Sequence, residues 1–333
     1  MHSRGFASAE LGLLEHRAHL LTAGGADLAG LRWAYPPLPT LLAVILPGTL
    51  ALSIVTCVFS SVILAYVANR LLAGLSGVAA FALVLPIIAV PTMWYADSQY
   101  LGPISALAFL AIALDGFVRF TAHGETEGGF AAGIALALSL CCDPGAFMYA
   151  LVMCLSAPMI SHARYDTKFS AVAIASVLAF PTAALTAGWL FLVWKFSGTF
   201  PGSLAYQADA HLLSFPAGVG RAFVTAARSA GWDLLHVPLY FAAAAMLCYR
   251  RPAALGGLLL PVVALITALW LGFSYNQGAA YLMLTILALV VISETGPRRF
   301  QIALAVVAVA QLALALVWPP SSVGFAAWSH LVF

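Results

Sequence analysis

Residues 50–70 read LALSIVTCVFSSVILAYVANR, and this stretch decides the fold class: its one charged residue is Arg70, at the very end. In a helix rising 1.5 Å per residue, about 20 apolar residues match a hydrocarbon layer about 30 Å thick. The same grammar recurs along the chain. Apolar runs separated by short polar punctuation lie at 50–70, 74–93, 100–120, 128–141, 145–161, 168–195, 233–249, 253–272, 278–294 and 299–318. They predict an all-α, polytopic transmembrane protein with about ten spans, in which the two short runs flanking Asp143-Pro144 could form a broken pair.

Composition agrees. The chain is 63% hydrophobic and 8% charged, where a soluble domain carries about 25% charged residues. So few charges cannot dress a water-facing surface, whereas in a bilayer lipid is the solvent for most of it. A net charge of +2 is too small to suggest a nucleic-acid partner. The five cysteines, Cys57, Cys141, Cys142, Cys154 and Cys248, all sit in apolar runs with no CxxC or Cys/His cluster, so they read as packing residues and no metal site is expected.

Basic residues set the orientation. Arg70, Arg119, Arg164 with Lys168, Arg250 with Arg251, and Arg298 with Arg299 fall on alternate gaps between runs. Short loops rich in Lys and Arg stay on the cytoplasmic side. Asp97, Asp143, the 196–232 loop and the polar N-terminal segment are then expected on the other side. The expected organisation is an outer segment over 1–38, a membrane core over 39–195, a second outer loop over 196–232 and further membrane helices over 233–333. Met1-His2-Ser3-Arg4 opens no apolar signal core, so an outward N-terminal segment is either translocated unaided or preceded by a further helix. The Ala-rich composition suggests a bacterial chain, hence an inner-membrane location.

Two outer segments have helical spacing. In 8–22, Leu11, Leu14, Ala18 and Leu21 oppose Glu10, Glu15, His16, Arg17 and His19, as in a helix lying on a membrane surface. In 203–231, Leu212, Phe215, Val219, Phe223 and Val224 oppose Arg221 and Arg228. His16 and His19 share a face, which two surface histidines explain as well as a metal pair does.

Seven acids fall on the outer face: Glu10, Glu15, Asp27, Asp97, Asp143, Asp209 and Asp233. Charges at a membrane are costly and so draw functional scrutiny. Asp97 and Asp143 each precede an apolar run, Asp143 with Pro144 behind it. Both can be helix N-caps; the alternative is a polar contact lining an outward cavity. Asn276-Gln277 reads as an outer turn that could touch a sugar. No GxGxxG, P-loop or HExxH occurs. A transporter would favour inverted repeats and ionisable groups at mid-membrane; no repeat is evident, and Asp115 and Glu294 lie near inner ends.

Glu10 gains interest from its surroundings: Ser8-Ala9-Glu10-Leu11, then Gly24-Gly25, then Trp33-Ala34-Tyr35-Pro36-Pro37-Leu38. An acidic helix, a Gly turn and a Tyr-Pro-Pro-Leu lead-in to a span resemble the first outer loop of the GT-C superfamily of membrane glycosyltransferases, which includes protein O-mannosyltransferases, lipid A aminoarabinose transferases and mycobacterial arabinofuranosyltransferases. Asp97-Ser98-Gln99-Tyr100-Leu101 is similar to that family's outer hairpin tip, and Gly133–Leu138 followed by Asp143-Pro144-Gly145 to its Gly-Leu-Ala segment and break. The likeness covers roughly residues 8–195 and implies a first span ahead of Glu10, which this sequence lacks. It implies transfer of a sugar from a polyprenyl-phosphate donor to a glycan, lipid or protein acceptor on the outer face, with no certain cofactor and a divalent metal unsupported. It implies Glu10 as general base or positioning acid, and Arg32 beside Tyr35 as phosphate binder, with Lys195, Arg221 and Arg228 as weaker ones. Asp97, Asp143 and Asn276 would line the substrate site. Relatives often carry Asp just before the Glu, where this chain has Ala9, and Lys where it has Asp143. A catalytically inactive relative acting as a partner or scaffold in envelope assembly is the alternative.

Overall fold

The structure is a computed structural model that describes residues 8–23, 34, 36–164, 171–198, 224, 238–250, 262–263, 277–295, 298–317 and 329–330. Among the described residues it is built of helices without strands: α1 (Ala9–Ala23), α2 (Pro37–Ile45), α3 (Thr49–Leu72), α4 (Gly77–Ile88), α5 (Pro91–Gln99), α6 (Leu101–His123), α7 (Thr126–Cys142), α8 (Ala146–Arg164), α9 (Ala171–Ser197), α10 (Pro238–Arg250), α11 (Gln277–Thr295) and α12 (Arg298–Val317). Apolar runs supply helices, and local chemistry ends them. Gly48 takes φ 105° between α2 and α3, a conformation that side-chain-bearing residues avoid. Gly124 caps α6 in the left-handed region, its N–H donating to the carbonyl of Phe120 at 3.0 Å.

Nine of the ten predicted runs coincide with helices or, for 74–93, with the α4–α5 pair; residues 253–272 lie almost wholly outside the described residues. Crossing the membrane is a stricter matter. Four described helices are long and apolar enough to span it, α3, α6, α9 and α12, and a fifth span results if α4 and α5, bent by 63° at a short break, count as one. α7, α8, α10 and α11 contain shorter apolar helical stretches. The structure therefore carries a multi-span helical membrane protein with four to five spans by length and composition.

α6 is the central helix: 72% of its apolar window is buried, against 28% in α3 and 17% in α9. One stripe of α3 (Leu52, Thr56, Ile63, Val67) is buried, while Leu50, Ile54, Val58 and Val62 face outward. A helix apolar on both faces suits protein on one side and lipid on the other. Where α6 meets α7 the side chains shrink to nothing: a Cβ on Gly116 would stand 2.5 Å from the carbonyl oxygen of Gly128, and one on Gly128 2.9 Å from that of Gly116. Small residues let membrane helices approach this closely.

α3 and α6 run parallel. Leu52 packs with Leu101 near their first turns, Phe59 with Phe109 at 6.1 Å midway, and Arg70 bonds Asp115 towards their ends.

Candidate functional site

The N-terminal helix does not lie free on a surface. Leu11, Leu14 and Ala18 are buried against Ala43 of α2, Leu52 of α3 and Leu101 of α6, so protein rather than lipid covers its apolar face. Glu15, His16 and His19 remain exposed, while Arg17 is buried. The start of α1 is pinned by polar bonds. Ser8 caps it, its Oγ accepting from the N–H of Leu11 at 3.2 Å. The same hydroxyl donates to the carbonyl of Gln99 at 2.8 Å, and the Ser8 N–H donates to Gln99 Oε1 at 3.1 Å.

One turn on, Glu10 Oε1 accepts the backbone N–H of Gly102 at 2.8 Å. Gly102 is the second residue of α6, one of the first-turn donors that have no partner within a helix. The N-cap residue Tyr100 offers no side-chain acceptor, so α1 supplies it. A Cβ at Gly102 would come within 2.9 Å of the Cys142 carbonyl and 3.1 Å of Glu10 Oε1. The carboxylate thus sits where the start of α1, the start of α6 and the end of α7 converge.

Glu10 is half-buried. Burial pushes its carboxyl up to about 8; the Gly102 N–H opposes this, nearby Asp143 adds to it and Arg17 opposes it. Asp143, between α7 and α8, is also half-buried. Burial raises its carboxyl to about 6 against the N–H of Gly145, and its carbonyl accepts the N–H of Ala146 at 3.1 Å. Asp143 closes α7 as its C-cap residue, close enough to Glu10 for their charges to interact.

Asp97 behaves differently. It lies within α5 and caps nothing; its Oδ1 accepts the hydroxyl of Ser60 at 2.6 Å, midway along α3. Its helix, α5, leads directly into α6 and leans against a candidate span, α3. Arg32, Tyr35, Arg221, Arg228 and Asn276 lie outside the described residues. Lys195 is exposed near the end of α9. Among the described residues no three His, Cys, Asp or Glu side chains gather as metal ligands.

The opposite end of α6 is basic. Asp115 Oδ1 pairs with Arg70 at 2.6 Å and its Oδ2 with Arg119 at 3.3 Å, while the Arg70 guanidinium lies 5.6 Å over the Tyr66 ring. From Gly102 to Arg119 the helix rises about 25 Å, close to the thickness of a hydrocarbon layer. The acidic junction and the arginine cluster therefore occupy opposite ends of one candidate span.

Sequence reading found Glu10 and Asp143 but not what joins them. Ser8 directly before the apolar-periodic run is a legible N-cap signal; its bonds to Gln99, 91 positions away, and the Glu10–Gly102 bond leave no local trace. Comparison with models of known protein families, with curated proteins and with solved structures gives no match.

Proposed function

We propose that the chain is a membrane glycosyltransferase of the GT-C type, moving a sugar from a polyprenyl-phosphate donor to an acceptor hydroxyl, with Glu10 as general base. One observation carries this reading: a partly accessible carboxyl, raised to about 8, stands at a junction of helix ends across the span from the arginine cluster. A base works best with a pKa near the operating pH. Ionised Glu10 would take the acceptor proton as its oxygen attacks the anomeric carbon and the lipid phosphate leaves. Burial keeps the Glu10 proton affinity high, with nearby Asp143 adding to it, and the Gly102 N–H fixes one carboxylate oxygen, leaving the other for the acceptor.

In this reading α3, the α4–α5 pair, α6 to α12 and the 253–272 run make about ten spans, with the Glu10 end on the outer face of a bacterial inner membrane. A scaffold role is the second reading. The Glu10–Gly102 bond favours it, because stabilising a helix start explains the acid without chemistry. Glu10→Gln separates the two: Gln keeps an acceptor for Gly102 but cannot take a proton. With a polyprenyl-phosphate sugar and membrane acceptor fractions, transfer should fall by about 10²-fold or more; transfer at the wild-type rate removes Glu10 from catalysis, and none from the wild type with any donor favours the scaffold.

A further inference from the structure

At the basic end of the molecule the surface between α7 and α9 opens into a groove of about 690 Å³. Thr126 and Glu127, in the first turn of α7, line it together with Phe130, Ala131 and Ile134 of α7 and Val177 and Phe180 of α9. Phe130 is 46%, Ile134 44% and Phe180 65% exposed. α9 is a candidate span, so these walls run alongside lipid tails. Glu127 is exposed and makes no ion pair with a described residue. An acid in a first turn complements the helix dipole, but that does not account for an apolar groove beside it.

An exposed carboxylate in the first turn of α7 beside an outward-facing apolar groove has the polarity of an amphiphile in reverse. We propose that this groove seats a membrane phospholipid with a primary-ammonium head group, of the ethanolamine type, its ammonium on Glu127 and an acyl chain among Phe130, Ile134 and Phe180. The first-turn N–H groups of α7 lie beside Glu127, without partners inside the helix, and suit the phosphate of the same head group. An anionic glycerol head group offers the phosphate but no cation. The inference is independent of the transferase reading.

The test uses the full chain in nanodiscs of equimolar phosphatidylethanolamine and phosphatidylglycerol with matched acyl chains, counting by native mass spectrometry the lipids that stay bound. The wild type should retain the ethanolamine lipid about fivefold over the glycerol lipid, the scale of one charge contact at a membrane surface. Glu127→Gln should abolish the preference and Glu127→Lys should invert it. Ala131→Trp, which fills the groove, should lower retention of both. Equal retention by the wild type overturns the proposal without any variant. So does a preference unchanged in Glu127→Lys, or retention unaffected by Ala131→Trp.

Discussion

Burial and a helix N-terminus pull the Glu10 proton in opposite directions, and burial wins, setting the carboxyl at about 8 against an ordinary 4.5. Linkage gives the sign. Between those two values the folded chain keeps a proton that the unfolded chain has released, so stability is highest below about pH 4.5, falls as pH rises, and levels off above about 8. The apparent Tm of the detergent-solubilised protein should drop by roughly 3–5 °C between pH 5 and 8.5. Glu10→Gln should flatten most of that slope in a thermal scan; an unchanged slope would place the titration elsewhere. Gly102 is the matching residue on α6. Its missing Cβ leaves room for the Cys142 carbonyl, so Gly102→Ala should cost about 1–3 kcal/mol and push Glu10 aside, measurable as a lower Tm with a pH slope closer to that of Glu10→Gln.

At the scale of elements, two contacts do the positioning. Ser8 both caps α1 and ties it to Gln99. Ser8→Ala should lose about 1–2 kcal/mol, and hydrogen exchange should show faster amide exchange over α1 while α6 keeps its protection. The α6–α7 seam tolerates less, because a Cβ at Gly116 would stand 2.5 Å from a backbone carbonyl oxygen, against 2.9 Å at Gly102. Gly116→Ala should therefore separate the two helices and cost about 2–3 kcal/mol, a larger drop in Tm than Gly102→Ala gives. The periodicity of 8–22 announces α1 as amphipathic, yet not that α2, α3 and α6 would cover its apolar face, since an apolar stripe reads the same whether lipid or protein fills it.

At the scale of the whole molecule, the charges that meet α6 among the described residues gather at its two ends. Glu10 and Asp143 gather at one end of α6, and Arg70, Asp115 and Arg119 at the other. Glu15 and Glu125 are exposed near these respective ends. In a cysteine-free background, Glu15→Cys and Glu125→Cys should react with a membrane-impermeant maleimide from opposite sides of sealed vesicles, Glu15→Cys from the outside. Labelling from the same side would overturn the two-ended arrangement.

From its order of residues alone the chain determines its solvent and its helices: apolar runs of span length with few charges leave lipid as the surroundings, and the boundaries of nearly every run follow from short polar breaks, Gly and Pro. The alternation of Arg-bearing gaps also foretells that Arg70 and Arg119 share an end, as their common partner Asp115 confirms. Only tertiary structure decides which acids meet. Asp97 and Asp143 look alike in sequence, each an acid before an apolar run, yet Asp97 turns to Ser60 of α3 and Asp143 comes near Glu10. Local patterns report a residue's own helix, whereas the neighbour that desolvates or bonds it belongs to a helix dozens of positions away.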